Sequence, residues 1–303
     1  MKILAITHLS TLYGANRSLL NLIQGTRQDI EWIVICRGYA YSKPSLKSEL
    51  NDLGIKCYNV PFRLEVHSKD ANLLKRKPFF VFELVYNFII AIVLSIYALT
   101  KKVTKIHSNS SSICLGAYIS YITRKPHIWH FREFLDEDYR LQYNFGLKYL
   151  KFWADKAHLI IAISKAIQDK CVVKRRIASS CVVLYNGVIS TNQVKTPGNK
   201  AKKDVFSLLV LGVLDETKNQ LDAIKAVERL ISQKYNVSLK IVGGKSGFYY
   251  KILTSYVQKS NLDEKITFID YVPSPDEVIS EADITLVCSK NEGMGRVTLE
   301  SMA

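Results

Sequence analysis

The chain has 303 residues, of which 48% are apolar, and a formal net charge of +15 at pH 7. This length and composition can bury sizeable cores and suggest about two domains. The six cysteines are scattered and include no C-x-x-C pair, which argues against a disulfide framework and against a zinc site. Met1-Lys2 leads directly into a strand-like run, so we expect no signal peptide and a reducing cytosol.

Positive charge is concentrated in the first part of the chain. Residues 1–187 hold 27 basic and 13 acidic side chains, a net +14, whereas residues 188–303 hold 15 and 14. A basic half attracts phosphate-rich partners, which include anionic membranes, lipid-phosphate acceptors and nucleic acid. For each single basic cluster, a solvated surface is the alternative interpretation.

Strand-like and helix-like segments alternate from the N-terminus. Residues 2–8 predict a strand, and Ala15–Gln24 predicts an amphipathic helix that Gly25 closes. The next predicted strands are Ile30–Cys36, Ile55–Val60, Val103–His107, His127–His130, His158–Ile163 and Cys181–Leu184, with a helix at Ser45–Leu53. This alternation predicts a parallel, doubly wound α/β sheet that binds ligands at the C-terminal ends of its strands.

Pro78–Thr100 is apolar, long enough to span a bilayer and flanked by basic clusters. Glu83 and Asn87 share one helix face, where hydrocarbon would make them costly. We therefore favour a helix that packs on the sheet, with one face on the membrane surface, over a transmembrane span.

A second α/β region follows a polar segment. Ser190–Asp204 is rich in lysine and contains Pro197-Gly198, which predicts a linker. Strands are then predicted at Phe206–Leu211, Ser238–Val242, Ile266–Ile269 and Asp283–Cys288, and a helix at Leu221–Ile231. We expect domains at 1–187 and 205–303, joined by a hinge at 188–204.

The last stretch places two carboxylates eight positions apart across a strand-to-helix turn. Glu292 falls in the loop and Glu300 about one turn inside the helix, so both could reach one ligand. Gly293 and Gly295 would let the backbone approach an anion, and the amides up to Arg296 would face it. An ordinary surface loop and helix start is the alternative.

Glu-Gly-Met-Gly-Arg-Val-Thr-Leu-Glu-Ser-Met-Ala at residues 292–303 resembles the E-x7-E signature of family-four retaining glycosyltransferases. The resemblance implies that Glu292 lies at the donor sugar and that Glu300 binds the donor ribose. Residues 126–134, Pro-His-Ile-Trp-His-Phe-Arg-Glu-Phe, resemble a stretch common in bacterial capsule and exopolysaccharide enzymes of this kind. There His130 matches the histidine at the donor sugar.

Other segments resemble the same family in part. Lys218 matches the lysine that binds the donor diphosphate, although Val213 stands where that pattern has an arginine. The resemblance assigns Glu292, His130 and Lys218 to catalysis. It assigns donor binding to Gly14, Gly293, Gly295, Arg296, Glu300, Tyr271 and Val272, and the acceptor side to Asn16, Arg17 and Arg132.

Two other motifs could indicate a different kind of site. Asp136 and Asp138 have D-x-D spacing, but no strand directly precedes them, so we expect a solvated acidic loop and no metal site. Gly243-Gly244-Lys245-Ser246 is similar to the end of a P-loop motif, but the upstream glycine is missing at the required distance. We therefore do not predict a P-loop here.

The resemblance implies α/β GT-B architecture, with two Rossmann-like domains facing a cleft and the second domain incomplete. The expected function is retaining transfer of a sugar from a nucleotide-diphosphate sugar, with a UDP-sugar as substrate and no cofactor. The acceptor would be a glycan or a polyprenyl-diphosphate-linked glycan in cell-surface polysaccharide synthesis. We expect a cytoplasmic protein, peripheral at the inner face of an anionic membrane, that does not bind nucleic acid. The family continues beyond the position of Ala303, so a truncated chain of uncertain activity and an exposed apolar edge on the second sheet are expected.

Two alternatives stay open. A nucleotide-sugar epimerase uses the same architecture but needs additional acid and base carboxylates. A non-catalytic protein that binds acidic surfaces or nucleic acid would explain the basic half, and its binding would be sensitive to salt.

Overall fold

The computed structural model describes residues 1–38, 45–189, 194, 204–272 and 274–303. Two units divide the chain, Met1–Gly187 (unit 1) and Val188–Ala303 (unit 2). Most of the predicted linker lies outside the described residues. Pro273, which follows the predicted donor-binding residues Tyr271 and Val272, also lies outside them.

Unit 1 is built on a parallel seven-stranded sheet with the order β3-β2-β1-β5-β6-β8-β9. Its strands are β1 (Lys2–Thr7), β2 (Glu31–Arg37), β3 (Lys56–Val60), β5 (Lys105–Ser108), β6 (His127–Phe131), β8 (Leu159–Ala162) and β9 (Cys181–Val183). Ile3 to Thr7 of β1 are all buried, because helices cover both faces of a parallel sheet. The predicted doubly wound sheet is confirmed.

The helices of unit 1 follow the predicted alternation, with different ends. They are α1 (Gly14–Thr26), α2 (Leu46–Asp52), α3 (Leu73–Thr100), α4 (Leu115–Thr123), α5 (Asp136–Tyr139), α6 (Gly146–Ala154) and α7 (Lys165–Ile167), which continues as a π-helix at Gln168–Val173. Ser45 caps α2 in a reciprocal capping box with Ser48. Gly25 does not end α1, because the helix continues to Thr26.

Helix α3 packs along one stripe and exposes the other. Its buried positions are Phe80, Asn87, Ala91, Leu94, Ser95 and Ala98, which recur at helical spacing. The Asn87 amide donates to the Arg63 carbonyl and to Glu65, and its oxygen accepts from the Arg63 amide. Unit 1 therefore satisfies the polar group that a bilayer would leave unpaired.

The opposite stripe of α3, which we call the apolar face, is formed by Phe79, Val81, Phe82, Val85, Phe88, Ile89, Ile92, Val93, Ile96 and Leu99, all exposed. Among the described helices, α3 is the one with the length and hydropathy to cross a membrane, and 28% of its apolar window is buried. The helix begins five residues before the predicted start, since Asn72 caps it and Pro78 is accepted within its second turn.

A short antiparallel pair lies outside the main sheet of unit 1. Strand β4 (Val66–Ser68) pairs with β7 (Leu141–Tyr143), and Val66 faces Tyr143. Neither strand was predicted from the sequence.

Unit 2 contains a parallel four-stranded sheet with the order β12-β11-β10-β13. Its elements are β10 (Phe206–Leu211), α8 (Gln220–Ser232), β11 (Val237–Val242), α9 (Phe248–Lys259), β12 (Ile266–Ile269), α10 (Asp276–Glu281), β13 (Ile284–Leu286) and α11 (Arg296–Met302). Strand β13 is an edge strand on which Ile284 is 46% exposed, and Val287 just after it is 44% exposed. The predicted apolar edge of the second sheet is confirmed.

Candidate functional site

The loops after β10 and β13 of unit 2 meet because these strands are neighbours in the sheet. Lys218 lies in the first loop and Glu292 in the second, and the Lys218 Nζ is 2.5 Å from the Glu292 Oε1. The Lys290 amide also donates to the Thr217 carbonyl at 2.9 Å, which ties the two loops together. The structure thus brings together two predicted catalytic residues that are 74 positions apart in the chain.

Lys218 lies in the loop before α8, which begins two residues later at Gln220. Its loop is braced from both sides. Asp215 accepts hydrogen bonds from the amide and the hydroxyl of Thr217, and Gln220 donates to the Val213 carbonyl. These contacts fix the backbone that carries the lysine, while its side chain stays 37% exposed.

Helix α11 holds the second carboxylate of the pattern. Gly295 precedes the helix at a φ of 65°, which favours glycine. Glu300 lies four residues into the helix, as predicted, and its carboxylate accepts from Arg296 at 2.9 Å. This pair is better shielded than the first, with side chains 18% and 11% exposed.

The loops that end β10 and β11 also touch closely. A methyl group added at Gly243 would lie 1.8 Å from the Gly212 carbonyl oxygen, so a glycine is required for this contact. Gly212 directly follows β10, which places the close contact at the edge that carries Lys218.

Tyr271 and Val272, which were both predicted to bind the donor, differ in their surroundings. Tyr271 is 42% exposed in the loop after β12, where a ligand could reach it. Val272 packs on a buried cluster with Leu209, Val242 and Ala282. Its side chain is half-buried and supports this cluster, and its predicted role in donor binding stays a prediction.

In unit 1, Arg132 is the centre of a buried network at the C-terminal edge of the sheet. The guanidinium is 7% exposed. It donates to Asn109 Oδ1 at 2.8 Å, to Asn186 Oδ1 at 2.7 Å and to His130 Nδ1 at 3.1 Å. Three separate segments therefore converge on one buried cation. Arg132 therefore holds this network together, and its predicted place on the acceptor side stays a prediction.

The same contact fixes the protonation of His130. Arginine has no acceptor, so His130 Nδ1 must accept and the proton of the neutral ring must lie on Nε2. Burial, Arg132 and His107 hold the pKa of His130 well below its ordinary value. His130 Nε2 is buried and has no hydrogen-bond partner among the described residues. His130 is thus a neutral imidazole with an N–H group to donate.

Two more histidines lie near this edge, and the sequence analysis did not assign either to the site. His8 follows β1, and burial with the charges of Arg37 and Arg132 lowers its pKa to about 4. His107 in β5 packs edge-on against His130, with ring centroids 5.8 Å apart, and burial lowers its pKa to about 3. The signal that could have found them is a histidine at or near the end of each of three neighbouring strands.

The polar groups after β5 also meet those after β6, as expected for neighbouring parallel strands. Ser110 donates to the Glu133 carboxylate, and the Ser111 amide donates to the same oxygen at 3.0 Å. Burial raises the pKa of Glu133, while these donors oppose the shift.

In the first loop of unit 1, the side chain of Asn16 forms its hydrogen bonds within the loop and with the end of β1. Asn16 is 2% exposed and donates to the Leu9 and Thr11 carbonyls, while its oxygen accepts from Thr7. The side chain of Asn16 therefore shapes the loop, and its predicted acceptor-side role stays a prediction. Gly14 and Arg17 lie in the first turn of α1, at the end of that loop.

The acidic triplet forms a short helix, α5, rather than a solvated loop. Lys69 pairs with Asp136, Lys170 pairs with Glu137, and Asp138 accepts from the Phe134 amide at 2.9 Å. No group of His, Cys, Asp and Glu within the described ranges has a metal-binding arrangement.

Residues 192–303 match the family model described as "Glycosyl transferases group 1". One curated relative is the N-acetylgalactosamine-N,N'-diacetylbacillosaminyl-diphospho-undecaprenol 4-alpha-N-acetylgalactosaminyltransferase of Campylobacter jejuni, 29% identical over 49% of this chain and 40% of the relative. Another is the O-antigen biosynthesis glycosyltransferase WclY of Escherichia coli, 27% identical over 39% of this chain and 34% of the relative. These matches span less than half the length of the curated relatives.

Solved structures resemble the whole chain. Anabaena Alr3699/HepE, crystallised in complex with UDP and glucose, gives a TM-score of 0.76 at 21% identity, over 100% of this chain and 78% of that one. The lipopolysaccharide outer core galactosyltransferase WaaB in its apo form gives 0.66 at 19% identity, over 100% of this chain and 78% of that one. These likenesses show the fold, and the expected GT-B class with parallel α/β sheets is confirmed.

Proposed function

We propose that this protein is a retaining glycosyltransferase that moves a sugar from a UDP-sugar to a lipid-linked glycan in cell-surface polysaccharide synthesis. The observation that carries the proposal is the contact between Lys218 and Glu292 at the C-terminal edge of the unit 2 sheet, with Glu300 just beyond. All three residues lie in the stretch that matches the glycosyl transferases group 1 model. The curated relatives, which are named as glycosyltransferases, support the same class.

The two cations of this site suit a nucleotide diphosphate. As the bond between sugar and diphosphate breaks, negative charge grows on the leaving phosphate oxygens. Lys218 would neutralise that charge as a point charge, and Arg296 would assist from the start of α11. This is electrostatic stabilisation by fixed side chains, the largest contribution in many transferases.

The two carboxylates suit the hydroxyl groups of the donor. Carboxylate oxygens accept strongly from hydroxyl donors, so we assign Glu292 to the transferred sugar and Glu300 to the ribose. Gly293 and Gly295 shape the loop between them, and Tyr271 is assigned to the base.

Unit 1 contributes a neutral donor and the acceptor side. The Nε2–H of His130 is assigned to a sugar hydroxyl or to the leaving diphosphate, because a neutral imidazole can donate without adding a charge. Gly14 and Arg17, at the first turn of α1, are assigned to the donor phosphate and the acceptor. Arg132 is the positioning residue that orients His130.

We further propose that the protein works at the inner face of the cytoplasmic membrane. The apolar face of α3 presents ten exposed apolar side chains and no charged one from Phe79 to Leu99. Exposed apolar patches of this kind mark membrane or partner surfaces. Residues 1–187 carry a net +14, which suits anionic headgroups, and a lipid-linked acceptor would be held at the same surface.

Calorimetry with UDP-, GDP- and ADP-sugars tests the donor assignment. We expect UDP-sugar binding by the wild type and a loss of about 10-fold to 100-fold in affinity for Glu292→Gln and for Glu300→Gln, since each removes charge-assisted hydrogen bonds. Glu277→Gln, an exposed change on α10, is the matched control and should bind normally. Unaltered affinity in both site variants would refute the assignment. Conversion of the donor to an isomer without any acceptor would instead identify an epimerase.

A further inference from the structure

A cavity of about 720 Å³ lies between α3, α4 and α6 of unit 1. Three basic side chains line it: Arg124, Lys125 and Lys156. Aromatic walls come from one residue on each helix, Phe88, Tyr121 and Trp153. We call this cavity the basic pocket.

The basic pocket opens at the edge of the sheet opposite to His130. Arg124 follows the last residue of α4, and the pocket also contacts His127, the first residue of β6. His130 lies three residues further along β6, roughly 10 Å away along the strand. A molecule in this pocket would therefore not occupy the assigned sugar and phosphate positions of unit 1.

The charge of the lining is entirely positive among the described residues that form it, since no aspartate or glutamate belongs to the lining. Lys156 Nζ also lies 4.6 Å from the centre of the Phe152 ring, which holds the ammonium beside apolar surface. Cations fixed next to aromatic rings match a ligand with an anionic group and an apolar body.

The surface around the pocket points to a lipid as that ligand. Phe88 belongs both to the pocket and to the apolar face of α3, so the two surfaces are continuous. Tyr121 of the pocket lining is 63% exposed, and Phe152, whose ring contacts Lys156, is 53% exposed. Tyrosine and tryptophan beside basic side chains are typical of the headgroup level of a membrane interface.

We propose that the basic pocket binds the phosphate headgroup of an anionic phospholipid while the apolar face of α3 rests in the adjoining acyl region. This inference builds on the membrane association proposed above. The phosphate would contact Arg124, Lys125 and Lys156, and the lipid chains would lie along Phe88 and its neighbours on α3. The headgroup contact would fix the orientation of unit 1 on the membrane surface. The apolar face alone would leave unit 1 free to rotate.

Vesicle co-sedimentation tests the pocket with phosphatidylcholine vesicles and with vesicles that also contain phosphatidylglycerol. We expect the wild type to prefer the anionic vesicles. The double variant Lys125→Gln, Lys156→Gln should lose roughly 30-fold in affinity for them, because each basic side chain at a membrane surface contributes about a fivefold factor. Lys225→Gln with Lys259→Gln, both exposed on unit 2, makes the same change in net charge and should bind like the wild type.

Each outcome separates this inference from the proposals on which it builds. If the pocket variant binds anionic vesicles like the control, the pocket assignment is wrong, and Ile89→Ser with Val93→Ser then tests the apolar face alone. If the wild type binds neither kind of vesicle, the headgroup site and the membrane association are both wrong. Donor calorimetry would still test the transferase assignment. Binding of glycerol phosphate that depends on both lysines, without vesicle binding, would identify a soluble phosphate ligand and overturn the lipid. Donor affinity should be unchanged in the pocket variant.

Discussion

Replacing Arg132 with methionine tests the buried network at the edge of the unit 1 sheet. The change keeps an unbranched side chain of similar length but removes every donor of the guanidinium. Asn109, Asn186 and His130 would each lose a partner that now lies 2.7–3.1 Å away. Asn109 and His130 are buried, so water cannot readily replace their lost donor, whereas Asn186 is half-buried.

The expected cost follows from those three contacts. A hydrogen bond to a charged group contributes about 1.5–3 kcal/mol, and an acceptor left unsatisfied in a buried site costs about 1–3 kcal/mol. The charge that is removed was itself costly to bury, which offsets part of the loss. We expect Arg132→Met to lower the free energy of unfolding of unit 1 by about 3–5 kcal/mol.

Urea unfolding followed by tryptophan fluorescence measures this loss in unit 1 specifically. The three tryptophans of the chain are Trp32, Trp129 and Trp153, which all belong to unit 1. Arg140→Met is the matched control, because Arg140 is 58% exposed and forms a surface pair with Asp70. It should cost less than about 1 kcal/mol. Equal losses for the two variants would refute the reasoning about the network.

Nitrogen-15 NMR of the histidine rings tests the second consequence of this contact. In the wild type, His130 should be neutral with its proton on Nε2, because Arg132 donates to Nδ1. Arg132→Met should raise the pKa of His130, since the guanidinium charge is one of the causes that lower it. A wild-type ring that carries its proton on Nδ1 would contradict the assigned geometry.

Three further outcomes follow from other parts of the structure. Burial lowers the pKa of His107 to about 3, so folding requires the neutral ring. The contribution of this ring to the free energy of unfolding is fully present above pH 6.5 and is lost as the pH falls. Urea titrations should show wild type losing about 2 kcal/mol more than His107→Phe between pH 7 and pH 5, and equal losses would count against this cause. Gly243→Ala should destabilise unit 2 by more than about 2 kcal/mol, because its methyl would meet the Gly212 carbonyl, and hydrogen exchange of β10 and β11 measures it. Gly25→Ala in α1 has open space and should instead stabilise unit 1 by about 0.5–1 kcal/mol, measured by tryptophan fluorescence.

The regular elements could be predicted because their signals are local. Buried strands such as β1 and β10 are continuous apolar runs bounded by polar or glycine-containing loops, and Ser45 marks the start of α2. The pair of β4 and β7 could not be found in this way. Each strand has three residues, too few for an alternating pattern, and their partners are more than 70 positions apart.

The residues of the candidate site could be predicted where a local motif marks them, but most contacts between distant segments could not. Glu292 and Glu300 are separated by eight positions, and the strand-to-helix turn between them is visible in the sequence. The network around Arg132 depends on Asn186, which lies 54 positions away and comes close only when β6, β8 and β9 align. The sequence position of Asn16 also did not reveal that its amide donates to the loop backbone.

In unit 2, Lys218 pairs with Glu292 and Arg296 pairs with Glu300, so the candidate site carries its own counterions. Any dissolved anion must compete with a carboxylate that is attached to the same chain, at a local concentration of at least the millimolar range. Chloride or a single inorganic phosphate gains too little to displace it, whereas a diphosphate offers several oxygens at once. The exchange would also release a glutamate at the moment when sugar hydroxyls arrive to occupy it. The two carboxylates would therefore lower the affinity of this site for small dissolved anions relative to a diphosphate.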